Sequence, residues 1–224
     1  IAYKGGTAMK AIVGTVSSTS ISFGTAVQFD ASSTVAIAAV TFDSSANKVV
    51  IGWQDSGNLS RGTAIVGTVS GTAISFGTEV VFEAAGTYYP TATFDSNSNK
   101  VVFAYYDSGN SNYGTAIVGT VSGTAISFGT AVVFETAQSS WNSATFDSNT
   151  NNVVIAYRDV GNSNYGTAID GTVSGTSISF GTALVFEADT AAEFAATFDS
   201  NSNKVFIAYE DQGNSNYGTG VVFT

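Results

Sequence analysis

Residues 101–106 read Val-Val-Phe-Ala-Tyr-Tyr, and the two-residue alternation of an extended chain separates them cleanly. Val101, Phe103 and Tyr105 share one face, and Val102, Ala104 and Tyr106 share the other. A short apolar and β-branched run, Tyr89 to Phe94, precedes this strand across the turn cluster Asp95-Ser-Asn-Ser-Asn99. After it come a polar loop at 107–112, a third strand from Tyr113 to Val121, a tight turn at 122–124 and a fourth strand from Ile126 to Phe134. No segment has helical spacing, and the Thr, Val and Gly content is poor for helices.

The same pattern recurs. Thr-Phe-Asp-Ser begins at Thr41, Thr93, Thr145 and Thr197, a constant step of 52 residues, and Ile-Ser-Phe-Gly-Thr begins at Ile21, Ile74, Ile126 and Ile178. A long, regular period marks a chain built from one supersecondary unit that must stack on its neighbours to bury its faces. Four short strands per unit is the period of a propeller blade. The expectation is therefore an all-β single domain over 1–224, a β-propeller of four-stranded antiparallel blades. Complete blades fall at about 35–83, 87–135 and 139–187, and a partial one at 191–224. Four blades result if the N-terminal strands at 11–30 complete the last one and close the ring, which also removes exposed strand edges. One C-like strand is then in surplus, and Ile1–Tyr3 resembles the end of a B strand, so five blades is the alternative count.

Composition narrows function. A formal charge of -10 argues against nucleic-acid and anionic-membrane partners, which need basic surface. Cysteine and histidine are both absent, which removes disulfides, thiolate chemistry, the commonest general base and the commonest metal ligand. No apolar run approaches the ~18 residues of a membrane span. Neither metal nor cofactor is expected. The chain opens on Ile1 rather than Met, as expected for a processed or excised piece of something larger.

Constant positions have structural explanations. The Asp-x-Asn-x-Asn turn (Asp95/Asn97/Asn99, Asp147/Asn149/Asn151, Asp199/Asn201/Asn203) opens like a calcium loop but lacks that loop's later glycine and glutamate. It is expected to cap its own backbone. The loop beginning at Asp107, Asp159 and Asp211, with Gly109, Gly161 and Gly213, resembles the Asp-box of sialidase-type propellers, where these residues fold a hairpin. Its aromatic, Tyr113, Tyr165 or Tyr217, comes later than in that motif. Nearly the whole chain, in its Gly/Thr/Ser/Asn-rich wording, resembles repeats in propeller-like proteins of marine phages, including tail-fibre-type proteins. That resemblance implies an extracellular or virion-borne adhesin, attached to a larger virion or surface protein and facing a glycan or another cell-surface ligand.

Where the units disagree, they do so in two clusters. At the entry to strand A stand Ala36-Ile37-Ala38, Tyr88-Tyr89-Pro90, Ser140-Trp141-Asn142 and Ala192-Glu193-Phe194. At the end of strand B stand Gln54, Tyr106, Arg158 and Glu210. In an antiparallel meander these positions share one edge, while the nearly constant A–B and C–D turns share the other. The candidate ligand-binding residues are Tyr88, Tyr89, Tyr106, Trp141, Asn142, Arg158, Glu193, Phe194 and Glu210. Aromatic rings offer large rigid contact area, and polar neighbours add directional hydrogen bonds.

A non-catalytic binding module for carbohydrate or another surface ligand is the leading expectation. A structural, virion-decorating or designed repeat scaffold without ligand is the alternative. A glycoside hydrolase using Glu193, Glu210 and Asp211 is a third reading, opposed by the strand geometry that sends the neighbours Glu210 and Asp211 to opposite faces.

Overall fold

A computed structural model describes residues 1–31 and 38–223. The chain is all β, as the alternation predicts, with twenty strands among the described residues. The first unit holds β1 (Ala2–Gly5), β2 (Ala8–Ala11), β3 (Gly14–Ser17), β4 (Ser20–Phe23) and β5 (Val27–Asp30). The second holds β6 (Ala38–Asp43), β7 (Lys48–Asp55), β8 (Arg61–Ser70) and β9 (Ala73–Phe76). The long strand β10 (Val80–Asp95) leads into the third unit, with β11 (Lys100–Asp107), β12 (Tyr113–Ser122) and β13 (Ala125–Phe128). The fourth has β14 (Val132–Asp147), β15 (Asn152–Asp159), β16 (Tyr165–Ser174) and β17 (Ser177–Phe180). The fifth has β18 (Leu184–Asp199), β19 (Lys204–Asp211) and β20 (Tyr217–Phe223).

The expected separate strands D and A are one continuous strand of 16 residues in β10, β14 and β18. The first half of β14 pairs with β12 of the unit before it, and the second half with β15 of its own unit. A register shift between Ser140 and Ser143 separates the halves, with counterparts at Tyr88/Thr91 and Ala192/Ala195. These shared strands merge the units into one 15-stranded antiparallel sheet running from β6 to β20. The sheet turns back at each bulge, so successive units pack face to face. Each core cluster draws on two adjacent units: Val50, Ala64, Val66 and Phe82 meet Val101, Phe103, Tyr105 and Ile117. Full burial of one such side chain is worth about 1.5–3 kcal/mol, so each join is held by a substantial apolar contact.

The propeller is not formed. The two ends of the hydrogen-bonded order, β6 and β20, lie at opposite limits of an open sheet. The N-terminal strands do not complete the last unit, and neither a four-blade nor a five-blade ring results. β1, β2 and β5 form their own small sheet, which packs on the second unit through Met9, Ala11 and Phe29 against Ile51, Trp53 and Ile65. Trp53 Nε1 donates to Asp30 Oδ2 at 3.1 Å, and the Phe29 and Trp53 rings meet edge-on at 5.1 Å. The surplus N-terminal strands are thereby placed: they are the later strands of a partial first unit. The period defines the stacked unit but not the rotation between units, and it is this rotation that decides between a ring and an open array.

The turns behave as their residues require. Asp147 Oδ1 accepts from the backbone N–H of Asn149 (2.8 Å) and Thr150 (3.2 Å), and Asp43, Asp95 and Asp199 do the same in their units. Asn47, Asn99, Asn151 and Asn203 take the left-handed conformation, which asparagine tolerates better than most residues.

Candidate ligand-binding site

The bulge in each shared strand has a distinctive cause. Tyr89, Trp141 and Glu193 occupy its turning point with φ of 49, 57 and 52°. This left-handed region disfavours residues with a large side chain, at a cost of order 1–2 kcal/mol each. Such strain persists only where surrounding structure imposes it, and it gathers at functional positions more than elsewhere. The equivalent Ile37 of the second unit, with Ala36 beside it, lies outside the described residues.

Three bulges from three successive units converge. Tyr89 and Pro90, Trp141 and Asn142, and Glu193 and Phe194 line one cavity of about 450 Å³. The Tyr89 and Trp141 rings sit 5.1 Å apart at 45°. Asn142 Nδ2 donates to the Tyr89 carbonyl at 3.3 Å, which ties one bulge to the next. The backbone N–H of Ala144 donates to Thr91 Oγ1 (3.0 Å) and that of Ala196 to Ser143 Oγ (2.9 Å), repeating the tie one step further along. Asn142 Oδ1 is buried and has no hydrogen-bond partner within the protein. An unpaired buried acceptor beside the cavity is a local cost that the surrounding packing sustains.

Five of the nine expected residues, Tyr89, Trp141, Asn142, Glu193 and Phe194, therefore share this cavity. Phe194 is buried as well, edge-on to Phe186 and close to Tyr209, so its ring also belongs to the core beneath. Glu193 continues into a second cavity of about 500 Å³, which Glu210, Tyr209 and Asn216 line. Tyr88 and Tyr106 are cross-strand partners with rings 5.1 Å apart, beside this wall rather than in it. Burial and the nearby Tyr88 and Tyr89 push the Tyr106 phenol up from its ordinary value. Arg158 is committed to the join between the last two units: Nε donates to the Ala191 carbonyl at 2.6 Å and Nη2 to Gln212 Oε1 at 3.3 Å.

Asp211 of the hydrolase reading caps its own loop, accepting from the backbone N–H of Asn214 at 3.0 Å. Among the described residues no group of three or more Asp or Glu side chains is placed to hold a metal, and no helix is long and apolar enough to cross a membrane.

Sequence reasoning placed Pro90 in a variable cluster but not among the candidate residues, although it is buried in the cavity wall, and it missed the left-handed bulge itself. The opposite edge is also less uniform than the turns suggest. In the fourth unit Asp170 stands where the second and third have Val66 and Val118, and Asn152 stands where three units have lysine. The two are partners: Asn152 Nδ2 donates to Asp170 Oδ2 at 3.3 Å, and both line a 220 Å³ cavity beside Phe223. The paired departure from the other units was the available signal. A search of protein-family models and of curated proteins finds nothing that matches the chain.

Proposed function

We propose that the chain is a non-catalytic binding module that takes carbohydrate in the cavity between the bulges of β10, β14 and β18. One observation carries this reading: the segments where the units differ most are those that the bulges turn, in strained conformations, into one shared cavity. Its contents suit a sugar. Tyr89 and Trp141 supply aromatic surface for the apolar face of a pyranose, and the exposed Glu193 supplies a carboxylate. The scaffold around the cavity is nearly invariant from unit to unit, which suits a rigid frame carrying a diversified surface. An extracellular or virion-borne setting with a glycan or cell-surface partner belongs to this same proposal.

The test is a glycan array probed with the purified chain and with Trp141→Ala. Selective binding by the wild type that the variant loses is expected. No glycan bound by the wild type, or equal binding by both proteins, overturns the proposal.

A further inference from the structure

We infer that the carbohydrate of this site is a linear chain, lying along the stacking direction with successive sugar rings over successive units. The inference rests on the carbohydrate reading above and gives its ligand a shape.

The bulges form an evenly stepped row. Asn142 Nδ2 donates to the Tyr89 carbonyl, the Ala144 N–H to Thr91 Oγ1 and the Ala196 N–H to Ser143 Oγ. Each of these bonds spans 53 residues. A constant offset sets β10 against β14, and β14 against β18, in the same relation. The strands that carry the two rings, β10 and β14, each pair with neighbours on both sides, so their placement is fixed from within the array.

Each unit offers the row the same two positions, the turning residue and the one after it: Tyr89-Pro90, Trp141-Asn142 and Glu193-Phe194. Both positions fall inside the register shift, outside the ladder that the strand makes with its partner. They line the cavity instead. Its 450 Å³ is shared out along three units rather than sunk into one. A terminal sugar is held by groups that converge on it from several directions, whereas here equivalent positions succeed one another in line. The Tyr89 and Trp141 rings lie 5.1 Å apart, a step comparable with the length of a sugar ring. A single sugar engages one of them. A chain engages both, and its second contact forms at high effective concentration.

The test is an array of linear glucose, N-acetylglucosamine, galactose and mannose oligomers, from one residue to six, printed beside branched terminal epitopes. It is probed with the wild type and with Tyr89→Gly, a change that suits the φ of 49° at this position. Binding of a linear series is expected to rise at least about fivefold between one residue and three, the gain from one added aromatic contact. Tyr89→Gly, with folding checked by circular dichroism, should weaken the longer oligomers by a larger factor than the shorter ones. Binding that is flat with length, or confined to branched termini, overturns the inference and leaves the carbohydrate reading standing. An equal fold loss at every length in the variant overturns it too. If the wild type binds nothing on the array, both fall together. The length series needs only the wild type, so it decides the matter even where the variant does not fold.

Discussion

Tyr157 reaches across the join between two stacked units, and its hydroxyl donates to Glu135 Oε2 at 3.0 Å. Tyr105 with Glu83 and Tyr209 with Glu187 repeat the contact at the same separation of 22 residues. Trp53 with Asp30 performs it in the second unit with a different ring and a shorter acid. A buried aromatic donor is satisfied each time by an acid from the unit before. The hydrogen bond thus sets the register of each join, while the apolar contacts around it supply most of its strength.

Burial of the acid at that join makes stability depend on pH. Burial raises the Glu135 carboxyl above its ordinary 4.5, and the negative charge of Asp159 adds to the rise, against hydrogen bonds from Tyr157, Ala137 and Thr136. Burial also raises Asp55, Glu79 and Asp107. An acid whose folded value lies above its unfolded value contributes stability that is complete below the unfolded value and is lost as pH rises through the folded one. The melting temperature should therefore fall between the ordinary carboxylate range and neutrality. Glu135→Gln keeps an acceptor for Tyr157 but cannot ionise, so its melting curve should be flatter with pH and should gain on the wild type at pH 8. Parallel melting curves for the two proteins across this range would contradict the assignment.

Gly77 explains why Ile-Ser-Phe-Gly-Thr is repeated. A Cβ built there would lie 1.9 Å from the Thr124 carbonyl oxygen of the next unit, and the pairs Gly24/Thr72 and Gly129/Thr176 have the same close approach. Gly181 differs, because the atoms nearest its Cβ would belong to the side chain of Asp170 rather than to backbone. Gly77→Ala should therefore cost about 1–3 kcal/mol or more, the scale of forcing atoms into a packed join. Gly181→Ala should cost clearly less. Chemical denaturation of both variants checks the contrast, and equal losses would show that the backbone approach does not govern the join.

The strands were legible because alternation and turn chemistry are local, and Val101 to Tyr106 declares both its faces without help from the rest of the fold. The ring was not legible. Whether Phe206 is covered or exposed depends on the angle between units, which no residue spells out by itself. Tyr89, Trp141 and Glu193 were found because the units differ there, but their left-handed backbone was not foreseen, since bulky residues are poor candidates for it. Arg158 and Phe194 stand in the same variable clusters, yet the structure gives the first to a join and part of the second to the core.

Asp147→Ala should lose about 1 kcal/mol, the scale of a lost side-chain cap, because its carboxylate holds the backbone N–H groups of Asn149 and Thr150. Thermal melting with and without calcium separates this role from a metal site. The loss should be the same in both conditions, whereas a rise of several degrees with calcium in the wild type alone would assign the turn to metal.

Trp141 carries the sharpest test, because its backbone and its ring make separate predictions. At φ 57° an alanine keeps most of the left-handed penalty and a glycine keeps none. Trp141→Gly should then be more stable than Trp141→Ala by about 1 kcal/mol, the reverse of the usual order inside a strand. Both variants lose the ring that lies 5.1 Å from Tyr89, so both should weaken glycan binding by about 1–3 kcal/mol, the range of a lost aromatic anchor. The ring is half-buried, and some stability will go with it in either variant. The two variants should therefore differ in melting yet agree in affinity. If affinity tracks stability instead, the ring serves the packing between bulges rather than the ligand.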